Sequence, residues 1–448
     1  MAQTDNNPQV GSGSSVPFYR PVDVLNIGKP GWPGELIIHD GKLIIYGPNG
    51  ETLIQDGKIQ TNALDVEIIE AKHIAANTIT TEKVAMEGLS NSNMNKWARA
   101  KQAVVAASGG DFDSIDSALD YIKGLGGGSI LLAPGLYTIN SGKISCPNVS
   151  ITGVDPDLCV IDFQGENKAL YLSQNYNNLN IENITFQNSS QQAIRLYGGR
   201  GHIIRNCKFN GMGTNDILLN SVGDTIIDLN EFKNTAQAIY VSGGDNIRIR
   251  HNSIISTTGS YGAIRLTNGA TYILLFDNYI DGHQSTSNGA IYADCANYVK
   301  IIGNVIKDSN GYGIYASGFF ERSLVSENTV YSCGRDGIRI TNTGGNCLVL
   351  GNHITYNMGV GLYVDIDYRL VATGNISTNN STHGFYIRAG GSTFTANQAN
   401  DNGGFGFCLN GDAAYITIVA NNIHWNTSGT IYNPGITGLI DEHNSKLG

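Results

Sequence analysis

Val299-Lys300-Ile301-Ile302-Gly303-Asn304-Val305 and Cys347-Leu348-Val349-Leu350-Gly351-Asn352-His353 are two copies of one pattern: a short alternating run, then an Asn that opens another run. The Asn marker recurs at Asn183, Asn206, Asn230, Asn252, Asn278, Asn304, Asn328, Asn352, Asn375, Asn397 and Asn422, at intervals of 22 to 26 residues. About ten residues after each Asn comes a second run, such as Gly337-Ile338-Arg339-Ile340-Thr341. Self-similarity at this period signals a solenoid, and period-two alternation makes its elements strands. Leucine-rich repeats would need Leu at fixed places, and propeller blades would be nearly twice as long. The pattern therefore predicts an all-β chain wound as a right-handed parallel β-helix of about 12 coils. A stacked Asn amide satisfies backbone groups left unpaired at a bend, and Asn tolerates left-handed backbone geometry, so the column is expected to maintain the fold.

The 448 residues suffice for one large solenoid plus accessory pieces, and 56 Gly suit an all-β chain rich in tight turns. A net charge of −10 disfavours a nucleic-acid partner, which needs clustered Lys and Arg. No apolar run approaches twenty residues, so no membrane insertion is expected. The polar start, Met1 to Arg20, has no secretory pattern, which predicts synthesis in a cytoplasm without a signal peptide. Cys146, Cys159, Cys207, Cys295, Cys333, Cys347 and Cys408 are scattered, and the His residues show no ligand spacing. No metal or cofactor is predicted, and no motif supports calcium.

Along the chain, residues 1–33 read as an extended arm. Residues 34–60 read as a small β-hairpin unit with turn signals Asp40-Gly41, Asn49-Gly50 and Asp56-Gly57. So short a unit buries little alone, which points to oligomerisation. Residues 61–107 form a linker with a helix predicted from Asn95 to Ala107, 108–430 the β-helix, and 431–448 a closing tail that loses the pattern. An amphipathic helix opens at Asp113 or Ser114 and buries Phe112, Ile115, Ala118, Leu119 and Ile122. The stretch AKHIAANTITTEKVA (71–85) resembles linkers of bacteriophage tail proteins and tail fibres. The helix, the run Gly126-Gly127-Gly128, an apolar strand and Pro134-Gly135-Leu136-Tyr137 resemble the opening of pectate-lyase-like β-helices, where that helix caps the solenoid. These resemblances imply a tail spike or fibre in the virion tail, a homotrimer that meets other phage tail proteins through its N-terminal region.

In the second strand of each coil, one outward column reads Arg195, Leu218, Tyr240, Arg265, Tyr292, Tyr315, Arg339, Tyr363, Tyr386, Cys408. The next reads Tyr197, Asn220, Ser242, Thr267, Asp294, Ser317, Thr341, Asp365, Arg388, Asn410. Such a face suits a polysaccharide: rings meet the apolar side of a sugar, and forked or acidic groups bond its hydroxyls and carboxylates. It equally suits ladders that only stabilise an exposed sheet. Tyr292, Asp294, Tyr315, Arg339, Tyr386 and Arg388 are the candidate substrate contacts. Asp365 and Asp367, i and i+2, would stand ~7 Å apart on one face, a spacing compatible with an inverting hydrolase pair. A plain ion pair between Asp365 and Arg388, one coil on, accounts for the same residues. Asp294 lies about 14 Å from Asp365, too far to pair with it.

NSTHGFYI (380–387), followed by NDNGGFGF (400–407), resembles the catalytic module of mannuronan C-5 epimerases. The resemblance implies that His383 is catalytic and that Asp365 is an acidic substrate-site residue. Where that family carries Tyr-Gly-Phe-Asp-Pro-His, this chain has Asp336-Gly337-Ile338-Arg339-Ile340-Thr341, without the tyrosine or its aspartate. Elimination or epimerisation needs a base, an acid and a group that neutralises the uronate carboxylate. Arg339 or Arg388 would neutralise, His383 would act as base, Tyr363 or Tyr315 as acid, with Asp336 beside them. As an alternative, His383 is an exposed turn residue. Three functions follow: a spike that binds and depolymerises a host surface polysaccharide by lyase elimination or hydrolysis, a non-catalytic glycan-binding adhesin or structural fibre, and a uronate C-5 epimerase.

Overall fold

The computed structural model describes residues 101–341, 345–367 and 369–447, together with five short strands between residues 24 and 59. Those five, Val24–Ile27, Leu36–His39, Lys42–Tyr46, Thr52–Gln55 and Lys58–Ile59, form an antiparallel sheet in chain order. The hairpins expected over 34–60 are present, but the sheet begins earlier. Val24–Ile27 pairs with Leu36–His39, so a strand lies within the predicted arm. The phage-like stretch 71–85 and most of the predicted helix Asn95–Ala107 lie outside the described residues. At the end of that predicted helix, Gln102–Val105 is instead a strand. Ala103 and Val105 point into the core while Gln102 is exposed, and the segment pairs in parallel with Gly128–Leu132. Two valines and an alternating burial pattern favour a strand once a neighbouring strand is available.

The remaining described residues wind into a right-handed parallel β-helix of three sheets, I, II and III, with 15, 14 and 13 strands. Every ladder within them is parallel, each strand pairing with its equivalents one coil before and after. The stack is thus longer than the 12 coils the Asn spacing suggests, because the first coils carry the alternation without the Asn and the last winding adds one more, at Asn444. At the far end Ile440–Glu442 joins sheet I and Ser445–Leu447 joins sheet II. The tail therefore continues the winding that it was expected to lose.

The Asn ladder is real, with a correction to its membership. Asn230, Asn252, Asn278, Asn304, Asn328, Asn352, Asn375, Asn397, Asn421 and Asn444 form it, each Nδ2 donating to the next Oδ1 at 2.8–3.0 Å. Each Oδ1 from Asn252 onward also accepts the backbone N–H of the preceding Asn, as Asn304 Oδ1 does from Asn278. Asn183, Asn206 and Asn422 stand one residue out of line. Asn183 and Asn206 have φ of 58° and 48°, the left-handed position that Leu229 and Glu327 fill immediately before a ladder Asn. Their amides bond to each other near the surface. A second buried ladder, Asn357–Asn380–Asn402–Asn426, holds another bend.

Inside, Phe163, Phe186, Phe209 and Phe232 stack with centroids 6.2, 5.2 and 4.8 Å apart. Later coils place the small Ser377 and Ala399 in that column, and Phe385, Phe394 and Phe407 fill the volume from the other two sheets. Helix α1, Ile115–Gly124, begins at Ser114, whose hydroxyl accepts the Ser117 N–H, and buries Ile115, Ala118, Leu119 and Ile122. Asp116 ties the helix to the first coil by accepting the N–H groups of Asn140, Ser141 and Gly142 at 2.7–3.0 Å.

Candidate functional site

Because the ladders of sheet III keep register, the outward side chains of successive coils stand above one another. Arg195, Leu218, Tyr240, Arg265, Tyr292, Tyr315, Arg339, Tyr363, Tyr386 and Cys408 are register partners in that order. The predicted first column is therefore one file of side chains on one face, spaced about 4.8 Å per coil. In the second column Asp294 pairs with Ser317, and Thr341 with Asp365 and then Arg388.

The file makes a continuous aromatic and cationic strip. Tyr292 and Tyr315 lie 5.3 Å apart, and Tyr315 contacts Tyr312 at 5.0 Å. The Arg339 guanidinium lies 3.8 Å over the Tyr363 ring, and Tyr363 stacks on Tyr386 at 4.6 Å and 10°. His383 follows at 6.5 Å from Tyr386 and 5.9 Å from Phe405. Tyr312 and Arg335 were missed in the sequence. The Tyr312 hydroxyl accepts from Arg335 at 2.9 Å, and both Arg335 and Arg339 lie over its ring. Tyr312 belongs to the position just before the strand glycine, as Asp336 and His383 do, and that position supplies a third file which alternation alone does not reveal.

Asp336, Asp365 and Asp294 each have a structural occupation on the face. Asp336 accepts the Val360 N–H and Arg339 Nη1, both at 2.8 Å, and is almost buried. Burial works most strongly against the Arg339 charge, but the bond to Asp336 and the neighbouring Tyr312, Asp336 and Tyr363 together hold the guanidinium above its ordinary value. Asp365 Oδ1 takes both Nε and Nη2 of Arg388 at 2.5 Å, the ion pair that competed with a catalytic reading. Asp367 lies just past the end of strand Leu362–Ile366 and is exposed, so the alternation that would align it with Asp365 has ended. Asp294 accepts the Ser317 hydroxyl at 3.1 Å.

His383 is half-buried, and its Nδ1 accepts the Phe405 N–H at 2.9 Å. Burial lowers its pKa, so the ring is neutral with its proton on Nε2. In this arrangement the imidazole lone pair is engaged by the next coil. Burial raises the Tyr363 phenol above its ordinary value, with Arg339 opposing, and burial likewise raises Tyr292. The face thus brings together planar rings, two paired guanidiniums and hydrogen-bonding groups. Among the described residues no group of three or more His, Cys, Asp or Glu side chains is placed to hold a metal ion.

The sequence model of the right-handed β-helix region matches residues 134–287 and 263–435. No curated protein matches the chain. Among solved structures, the A-module of mannuronan C-5 epimerase AlgE4 from Azotobacter vinelandii is 13% identical at a TM-score of 0.47, over 75% of this chain and 95% of that one. The Dettilon tailspike protein is 13% identical at 0.44, over 74% and 64%. A mutant of the PL6 family alginate lyase AlyGC is 14% identical at 0.52, over 76% and 53%. At these identities the likeness is one of fold. With the family's sequence pattern covering most of the chain and three parallel sheets wound as that pattern requires, this protein belongs to the right-handed β-helix family.

Proposed function

We propose that the chain is a phage-type tail spike or tail fibre subunit whose sheet III face binds an acidic polysaccharide of a host surface. The observation that carries this is the strip from Tyr292 to His383, in which pairs of tyrosine rings stand on either side of the Arg339 guanidinium along one face. Rings present flat apolar surface to a sugar, and Arg forks match its carboxylates. The solved structures of similar fold include a tailspike, an epimerase module and an alginate lyase, and the linker resemblance at residues 71–85 adds the phage setting. In this reading the protein is made in the host cytoplasm, carried in the virion tail and joined to other tail proteins through its N-terminal region.

Binding of the host capsule or wall polysaccharide, measured by surface plasmon resonance, tests the proposal. Arg339→Gln and Tyr363→Ala should each weaken it about tenfold, the loss expected for a charge-assisted bond or a stacked ring. Unchanged affinity in both variants would reject the strip as the binding face.

Eliminative cleavage is the second reading, favoured by the Arg339 guanidinium lying directly over Tyr363. There the guanidinium would neutralise a uronate carboxylate beside a phenol able to exchange a proton. New unsaturated-uronate absorbance with chain shortening would establish it. Binding with neither, and without exchange of solvent protons into the polymer, leaves the non-catalytic adhesin.

A further inference from the structure

Upstream of the strip, sheet III carries a cavity of about 410 Å³ whose lining includes Gln192, Asn215, Gln237, Tyr240, Tyr261 and Arg265. None of the candidate site residues of the sequence reading lines it. Its cation is Arg265, whose guanidinium lies 4.0 Å over the Tyr261 ring and 4.9 Å over the Tyr240 ring. Arg339 and Arg388 each hold an aspartate on this face, but no acidic residue lines this cavity. Among the described residues Arg265 has no ion-pair partner, and its Nε is buried without a hydrogen-bond acceptor. A half-buried guanidinium with no anion is an uncompensated charge, costly unless a ligand supplies the counter-charge.

The remaining walls are fixed polar groups. Gln192 donates to Asn215 at 3.2 Å, Asn215 donates to Gln237 at 2.6 Å, and Gln237 donates to the Gly262 carbonyl at 2.7 Å. Thr267 steadies Tyr240 by donating to its hydroxyl at 3.2 Å. Tyr261 comes from the longer loop of the coil between Asn252 and Asn278, which has 26 residues where the preceding Asn230–Asn252 interval has 22. An extended loop thus delivers a ring onto the one unpaired arginine of the cavity.

We infer that this cavity is a binding subsite for a carboxylated sugar residue, Arg265 taking the carboxylate and Tyr261 and Tyr240 framing it. With rings against its faces, the guanidinium offers its N–H edge, the geometry that matches a planar carboxylate through two parallel bonds. The amide row supplies donors and acceptors for ring hydroxyls. Arg265 stands three register steps before Arg339, about 14 Å, so one chain could lie across both places. The inference rests on the glycan-binding reading and names its substrate class.

The test is isothermal titration of the full-length protein with a tetraglucuronate, with cellotetraose as the neutral arm and a sulfated cellotetraose as the second anionic arm. Tetraglucuronate should bind. Arg265→Gln should weaken it at least about tenfold, Arg265→Lys should recover part of the loss, and cellotetraose should bind weakly to all. Tyr261→Ala, on an exposed ring, gives a second variant with little risk to folding and should also weaken binding. Wild-type affinity in Arg265→Gln together with loss in Arg339→Gln would overturn the subsite and leave the strip standing. Tighter binding of the sulfated chain, or preference for the neutral one, would overturn the carboxylate assignment.

Discussion

His283 is fully buried, with Nδ1 2.8 Å from the Thr257 hydroxyl and Nε2 without a partner. Burial pushes its pKa down to about 4. A depressed histidine contributes stability that is complete above its ordinary value near 6.5 and is lost as pH falls toward the folded value. His202 is buried neutral too, donating to the Gly198 carbonyl, and burial lowers it in the same direction. Asp216 has the opposite sign: burial raises its carboxyl well above the ordinary range, so it weakens the fold as pH rises. Chemical denaturation at pH 7 and pH 4.5 should show a loss of roughly 3 kcal/mol attributable to His283, absent in His283→Gln. Equal shifts in the wild type and in His283→Gln across that window would reject the assignment. The same scale explains why the role of His383 was not legible in the sequence. The group that occupies its lone pair is a backbone amide 22 residues away, and nothing in NSTHGFYI announces it.

Among elements, the Asn ladder sets the stability of each bend. Asn304 accepts the backbone N–H and the Nδ2 of Asn278 and donates to the carbonyls of Leu275 and Ile302 and to Asn328. Asn304→Ala strands those buried partners and should cost about 3 kcal/mol, read by denaturant unfolding of the full chain. A change below about 1 kcal/mol would mean that water or a backbone shift satisfies them. The period of the solenoid, the outward columns and the capping helix were legible because alternation and spacing are properties of the text. Ladder membership was legible only to within one residue, since the left-handed position and the ladder position are adjacent and Asn suits both. Gln102–Val105 misled for a different reason: its partner strand lies beyond the helix, so its fate depends on a contact made later in the chain.

For the whole molecule, the proposed homotrimer needs a face distinct from the glycan strip. Sheet I provides one, with Leu274, Leu324, Leu348 and Val371 in one outward file, interrupted by Lys300, and Phe276 beside it. Leu348 is 42% exposed and Phe276 38%. An apolar patch of this kind on an exposed sheet is the face we propose for association. Light scattering of the full-length protein should give three times the chain mass. Leu348→Glu, a change on the surface, should lower that mass toward one chain without unfolding it. A monomeric wild type would reject the trimer.

Intervals between successive ladder asparagines run from 22 to 26 residues, yet the file on sheet III never loses alignment. A slipped strand in an ordinary sheet would turn all its side chains to the wrong side. Here each amide rung resets the count before the next winding begins, so a miscount cannot propagate. Loops can gain or shed residues turn by turn, as the one bearing Tyr261 has, while the lattice of contacts offered to a long polymer keeps its pitch.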